Sequence, residues 1–226
     1  MYHEMRRSKK TRINVSIVTI LIVYYAVGIG GLVYPGTRNL FTGAIPFTLL
    51  VSTVLLFWYH GRFTRYAILG GILIFAVGFL VEAAGVSTGI LFGEYHYGTA
   101  LGLKVLDTPL LIGINWLFLV YCSSVIAGRF VEPLYFRSLV AGAMMVVFDF
   151  ALEPSAMWLG MWHWQGGAVP LQNYLAWFIL AVGLNYLAGA IRLPNKGNKL
   201  AGPLFFIQLA FFVVLDLWIL VERTWG

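Results

Sequence analysis

Two short stretches hold most of the groups that could do chemistry. Glu82 is followed after ten residues by GEYHYG (93–98), and Asp149 after ten residues by GMWHWQ (160–165). The shared pattern is an acid, a glycine, and then aromatic-His-aromatic: Tyr95, His96 and Tyr97 in one copy, Trp162, His163 and Trp164 in the other. Glu153 follows Asp149 by four, on the same helical face. Two carboxyl groups held close together away from bulk water are the residue types of general acid/base catalysis. Electron-rich rings beside them attract a developing cation. The histidines are expected to hydrogen-bond the carboxyls and set which of them keeps a proton. A mixed site in which Glu82, His96, Asp149 and His163 hold one divalent ion is the competing arrangement.

These residues need a scaffold, and the scaffold is apolar. Of the 226 residues, 60% are hydrophobic and 11% charged, against about 25% charged in a soluble domain. Seven apolar runs are long enough to cross a bilayer as helices: 13–34, 41–59, 66–85, 109–128, 135–153, 173–191 and 203–221. The fold class expected is all-α, a polytopic transmembrane bundle of about seven helices forming one domain over residues 1–226. The short alternating segments of a β-barrel are absent. The run behind the basic segment 1–12 is too long for a signal peptide and is taken as the first span.

Placing that basic end in the cytoplasm sorts the 15 Lys and Arg residues 12 to 3. Arg6, Arg7, Lys9, Lys10, Arg12, Arg62, Arg65, Arg129, Arg137, Arg192, Lys196 and Lys199 fall inside, and Arg38, Lys104 and Arg223 outside. The expectation is an N-terminus in the cytoplasm and a C-terminus outside a prokaryotic cell membrane. The net charge of +6 is then a membrane address, with no nucleic-acid partner implied. Cys122 is the only cysteine, which excludes an intrachain disulfide and a thiolate metal cluster.

On this topology the long connections 86–108 and 154–172 both lie outside and carry the two motifs. Pro109-Leu110 and Pro170-Leu171 open the next span in each copy, and Trp116 and Trp177 lie seven residues beyond the prolines. Residues 66–128 and 135–191 thus read as a parallel internal repeat, an architecture that commonly builds its site at the repeat interface. At 1.5 Å per residue, Glu82 and Asp149 fall at similar depth. Glu153 sits about one turn nearer the surface, where Pro154 is expected to end the helix. Asp107-Thr108-Pro109 reads as the cap of the fourth span. Asn115, Asn173 and Asn185 are candidate interhelical hydrogen-bonders, and Asp216 an interfacial residue.

No lysine falls within a predicted span, which removes a retinal-type Schiff base, and four histidines are too few for a histidine-box di-iron site. Intramembrane acids would equally serve a non-enzymatic proton-coupled carrier of lipid or solute.

VEAAGVSTGILFGEYHYG, LGLKVLDTPLLIGINW and FDFALEPSAMWLGMWHWQGGAVPLQNYLAW closely resemble the membrane proteins of carotenoid biosynthesis that include the CruF-type carotenoid 1′,2′-hydratases. The likeness runs over about residues 66–191; the first two spans and the last match by hydropathy alone. It implies hydration of the terminal isopropylidene double bond of an acyclic ψ-end, as in γ-carotene, lycopene or bisanhydrobacterioruberin. No cofactor and no metal are implied. The implied partners are a long-chain carotenoid drawn from the bilayer, water, membrane lipids and other carotenoid enzymes. Such an addition needs a proton at C2′ and leaves a tertiary cation at C1′. The expected catalytic set is Glu82, Asp149, Glu153, His96 and His163, with Asp149 the donor and Glu153 its relay. Tyr95, Tyr97, Trp162, Trp164, Trp116 and Asn173 are the expected substrate contacts. A metal-dependent carotenoid-modifying enzyme is the alternative within the same pathway.

Overall fold

A computed structural model describes the backbone of residues 2–61 and 63–225 and the side chains of 15–61 and 63–225. The side chains of Arg6, Arg7, Lys9, Lys10, Arg12 and Arg62, which weigh heavily in the charge count, lie outside the described residues, as does that of His3.

The apolar runs form helices α1 (Tyr2–Val33), α2 (Arg38–Trp58), α3 (Arg65–Thr88), α4 (Leu110–Ala127), α5 (Leu134–Trp158), α6 (Leu171–Ala190) and α7 (Ala201–Trp225). All seven contain a stretch long and apolar enough to span a membrane, as expected for a multi-pass bundle. α4 runs through the centre, packed by α2, α3, α5, α6 and α7. From Leu111 to Ala127 nearly all of its side chains are buried. α3 can lie close against it because Gly78 has no side chain: a Cβ there would stand 2.5 Å from that of Trp116.

The connections between α3 and α4 and between α5 and α6 are ordered caps. β1 (Tyr95–Tyr97) pairs antiparallel with β4 (Trp162–Trp164), placing His96 opposite His163, Tyr95 opposite Trp164 and Tyr97 opposite Trp162. A second ribbon joins β2 (Lys104–Val105) to β3 (Thr108–Pro109). Its two-residue loop needs positive φ at both centres, and Leu106 and Asp107 supply +51° and +58°. Asp107-Thr108-Pro109 is therefore a hairpin arm and not a cap. Pro109 precedes α4 with no side-chain hydrogen bond to it. Pro154 likewise does not end α5, which continues to Trp158. A proline is tolerated inside a membrane helix whose neighbours hold it, and the next residue, Ser155, donates to Asp216 of α7 at 2.5 Å.

Polar side chains within the spans are used as ties. Asn185 accepts from Ser123 and Ser124, joining α6 to α4. Gln208 donates to Tyr25, which is bonded to Ser52, joining α7, α1 and α2. Among the described residues no buried side-chain nitrogen or oxygen lacks a partner, the condition lipid imposes.

At the end of the bundle away from the β1–β4 sheet, His60 shares a 2.7 Å hydrogen bond with Tyr121 and stacks on Phe63. Asn195 of the α6–α7 loop donates to the His60 carbonyl. Burial holds the His60 imidazole below its ordinary value. A base so shifted binds its proton more readily when the clamp is open, so its contribution is complete above about 6.5 and is lost as pH falls through the depressed folded value. The thermal midpoint should therefore fall between pH 7 and about 5.5, and less steeply for His60→Asn. Equal slopes for the two proteins would remove His60 as the cause.

Candidate active site

Three acids converge under the β1–β4 sheet. Glu82 from α3 and Asp149 and Glu153 from α5 are all at most 3% exposed, although among the described residues none of them forms an ion pair. They are satisfied by neutral donors supplied by the sheet and by α4 and α6. Tyr95 and Tyr97 donate to Oε2 of Glu82 at 2.6 and 3.1 Å, and the Trp116 indole donates to Oε1 at 3.1 Å. Both indoles of β4, Trp162 and Trp164, donate to Oε2 of Glu153 at 2.9 Å. Asp149 accepts through Oδ2 from Asn173 of α6 at 2.9 Å. Trp116 stacks on Trp177 with ring centroids 4.2 Å apart, linking the α4 and α6 sides of the cluster.

The strands make this possible through their period of two. Tyr95, Tyr97, Trp162 and Trp164 all point into the protein, and the histidine between each pair points out. Just past β1, Gly98 donates its backbone N–H to the Met161 carbonyl beside β4, and a side chain there would collide with the Gly160 carbonyl. Burial first, and then the Glu82 carboxyl, push the Tyr95 and Tyr97 hydroxyls far above the ordinary phenol range, which keeps both as donors.

Two expectations are corrected by the same alternation. His96 and His163 are exposed, with ring centroids 5.3 Å apart, on the face of the sheet away from the carboxyls. They hydrogen-bond none of the three acids, and Glu82, His96, Asp149 and His163 are not brought together as a metal set. Among the described residues no group of three or more His, Cys, Asp or Glu is placed to hold an ion. Glu153, expected near the membrane surface, is instead buried and held by two indoles. Trp116 and Asn173, expected as substrate contacts, are each bonded to an acid.

The acids line a cavity of about 30 Å³, room for one or two water molecules. This pocket adjoins a larger apolar chamber of about 250 Å³ bounded by α1, α2, α4, α5 and α7. Ile112, Asn115, Leu152 and Trp162 line both. The chamber reaches the lipid-facing side of α1 at Tyr24 and Val27, which are 42% and 57% exposed. Neither the chamber nor the part of Asn115 at its junction was legible beforehand. Its walls are mostly Leu, Ile, Phe and Gly, indistinguishable in sequence from residues that face lipid. The inward aim of β1 and β4 had a legible signal: aromatic-His-aromatic alternation is a strand pattern.

The arrangement is a small pocket lined by three acids at the end of an apolar chamber. It can present a proton to an apolar chain end and shelter the cation that results.

Comparison with known proteins places the chain in a family. Residues 43–224 match the family described as carotenoid biosynthesis protein. A bisanhydrobacterioruberin hydratase of Haloarcula japonica is 33% identical over 112 residues, covering 44% of this chain and 36% of the relative. The chain thus matches little more than a third of that relative's length. No solved structure matches it. The chain, with seven membrane-length apolar helices among its described residues, belongs to the carotenoid biosynthesis protein family.

Proposed function

We propose that the chain is a carotenoid 1′,2′-hydratase that adds water to the terminal double bond of an acyclic ψ-end by carboxyl acid/base catalysis, without a cofactor. The observation that carries the reading is the junction of the apolar chamber with the three-acid pocket at Ile112, Asn115, Leu152 and Trp162. One end of a long polyene enters from the bilayer between α1 and α2 and places its last double bond at that junction. The rest of the chain lies along lipid.

The hydrogen bonds divide the work among the acids. Glu82 accepts on both oxygens from three donors and serves as the ionised partner. Asp149 is engaged by a single donor, on Oδ2, and presents its proton from the other oxygen. The alkene π pair takes that proton at C2′, leaving the cation at C1′. The faces of Trp162 and Trp164 and the charge of Glu82 stabilise it. A water in the small pocket attacks C1′ and gives its extra proton to Glu82, and the proton returns to Asp149 before the next turnover. Atoms balance as alkene plus water to tertiary alcohol. His96 and His163, on the far face of the sheet, take no part in this scheme.

The same reading takes 66–128 and 135–191 as internal repeats. It is supported by the register of His96 with His163 and the stacking of Trp116 on Trp177. The reading also puts the sheet end outward and the His60 end toward the cytoplasm, which the 12 to 3 division of Lys and Arg supports.

The test is the origin of the oxygen. Cells making lycopene or γ-carotene and expressing the protein should yield a more polar pigment, heavier by one water, with an unchanged visible spectrum because the terminal alkene is outside the conjugated system. Labelled water should mark the new hydroxyl, labelled dioxygen should not, and the reaction should run without air and in the presence of chelators. Label arriving from dioxygen, or activity restored by iron after chelation, would overturn the carboxylate mechanism.

A further inference from the structure

The carboxyl pocket has room for one or two waters, and a hydratase would use one per turnover, so the pocket needs a refilling route other than the substrate's. The chamber is apolar and opens to lipid, which makes it a poor conduit for water. A third cavity lies on the other side of Tyr95. It has a volume of about 420 Å³ beside the C-terminus of α3, and Ser87, Thr88, Glu94, His96 and Gln165 supply its polar lining. Tyr95 lines this vestibule and the carboxyl pocket alike.

We propose that the vestibule is the water port of the enzyme and that Tyr95 is its door. The inference rests on the hydratase reading and adds the route and the residue that controls it. Closed, the Tyr95 hydroxyl bonds Glu82 at 2.6 Å and its ring lies 4.8 Å from that of Trp164. Tyr95 is only partly buried, unlike Tyr97, Trp162 and Trp164. It is thus the member of the inward-facing aromatic set with space on its outer side. When its ring swings toward the vestibule, a water replaces the phenol as the donor to Glu82 and is already beside the ionised acid that will take its proton. Return of the ring isolates the pocket before the cation forms, and keeps water in excess of the reacting molecule away from it. His96 gains a place in this scheme as a polar rim residue.

Cys122 is wholly buried in α4, so an introduced surface cysteine can be addressed by itself. Gln165→Cys should turn over normally until an impermeant anionic methanethiosulfonate is added on the sheet side of sealed vesicles. Turnover should then fall at least tenfold with bound carotenoid unchanged, and thiol reduction should restore it. Thr99→Cys, exposed on the same side but not lining the vestibule, should be modified without effect. A second readout needs no turnover. In hydroxyl-radical footprinting, oxidation of buried Tyr97 should drop at least threefold when Gln165→Cys is modified. Full activity and unchanged Tyr97 oxidation after complete modification would overturn the port. So would sensitivity at Gln165→Cys only to reagent sealed on the His60 side. A wild-type protein that hydrates no carotenoid would sink the hydratase reading, and the Tyr97 footprint would then decide the port alone.

Discussion

Asp149→Asn should lower turnover by about a thousandfold, the middle of the range for losing a general acid, while leaving a folded membrane protein. The amide keeps the shape of the carboxyl and its oxygen still accepts from Asn173, but it has no proton to give C2′. Glu82→Gln should cost a similar factor for a different reason, and some stability as well. Tyr95 and Tyr97 converge on one oxygen and the Trp116 indole on the other. With its oxygen kept toward the Trp116 indole, the amide turns its NH₂ to the two tyrosine hydroxyls, which can accept from it but lose the acceptor for their own O–H groups, a mismatch that costs about 1–3 kcal/mol. Glu153→Gln should be the mildest, about tenfold in turnover, because both indoles meet the same oxygen and an amide can keep its carbonyl there. Product formation per folded protein, with thermal midpoints measured alongside, checks all three. Near-normal turnover in Asp149→Asn with a dead Glu153→Gln would move the proton donor one turn along α5.

The second large effect is expected far from any acid. Gly28 of α1 lines the apolar chamber, and a Cβ built on it would meet the Phe211 ring at 3.5 Å, an ordinary contact. Gly28→Leu is therefore sterically allowed at the backbone, gains about 1 kcal/mol of helix propensity, and fills the space assigned to the polyene end. kcat/KM should fall about a hundredfold, the scale on which a few misplaced methylenes act in an apolar pocket. The purified protein should also carry less bound carotenoid. The three carboxyls and their donors are untouched, so the loss cannot be assigned to the acid/base chemistry. Unchanged kcat/KM with unchanged bound pigment would show that the substrate does not occupy this chamber.

Composition and hydropathy were sufficient for the seven spans, because lipid accepts only helices and closed barrels, and apolar runs that match its thickness without a two-residue alternation leave the helix. The acids within those spans were equally legible, since an ionisable group in an apolar run is a local contrast that needs no partner to be noticed. Helix ends were read less well. Pro154 and Asp107 carry ordinary stop and cap signals, and what overrode them was tertiary: packing that carries α5 on to Trp158 beside α7, and a hairpin turn that required positive φ.

The division of labour within GEYHYG and GMWHWQ was decided by pairing. Each motif alone places a histidine near an acid in sequence. Only when β1 meets β4 does the two-residue period send the four aromatic donors to Glu82 and Glu153 and turn His96 and His163 the other way. What the amino-acid sequence by itself determined is therefore the list of chemical groups and the membrane they sit in. The tertiary structure alone decided that two indoles bury Glu153 beneath the sheet, that Tyr95 stands between two cavities, and that an apolar chamber ends at the acids. The physical reason is that a cavity is made by what several helices leave unfilled, and no single segment encodes a space it shares with four others.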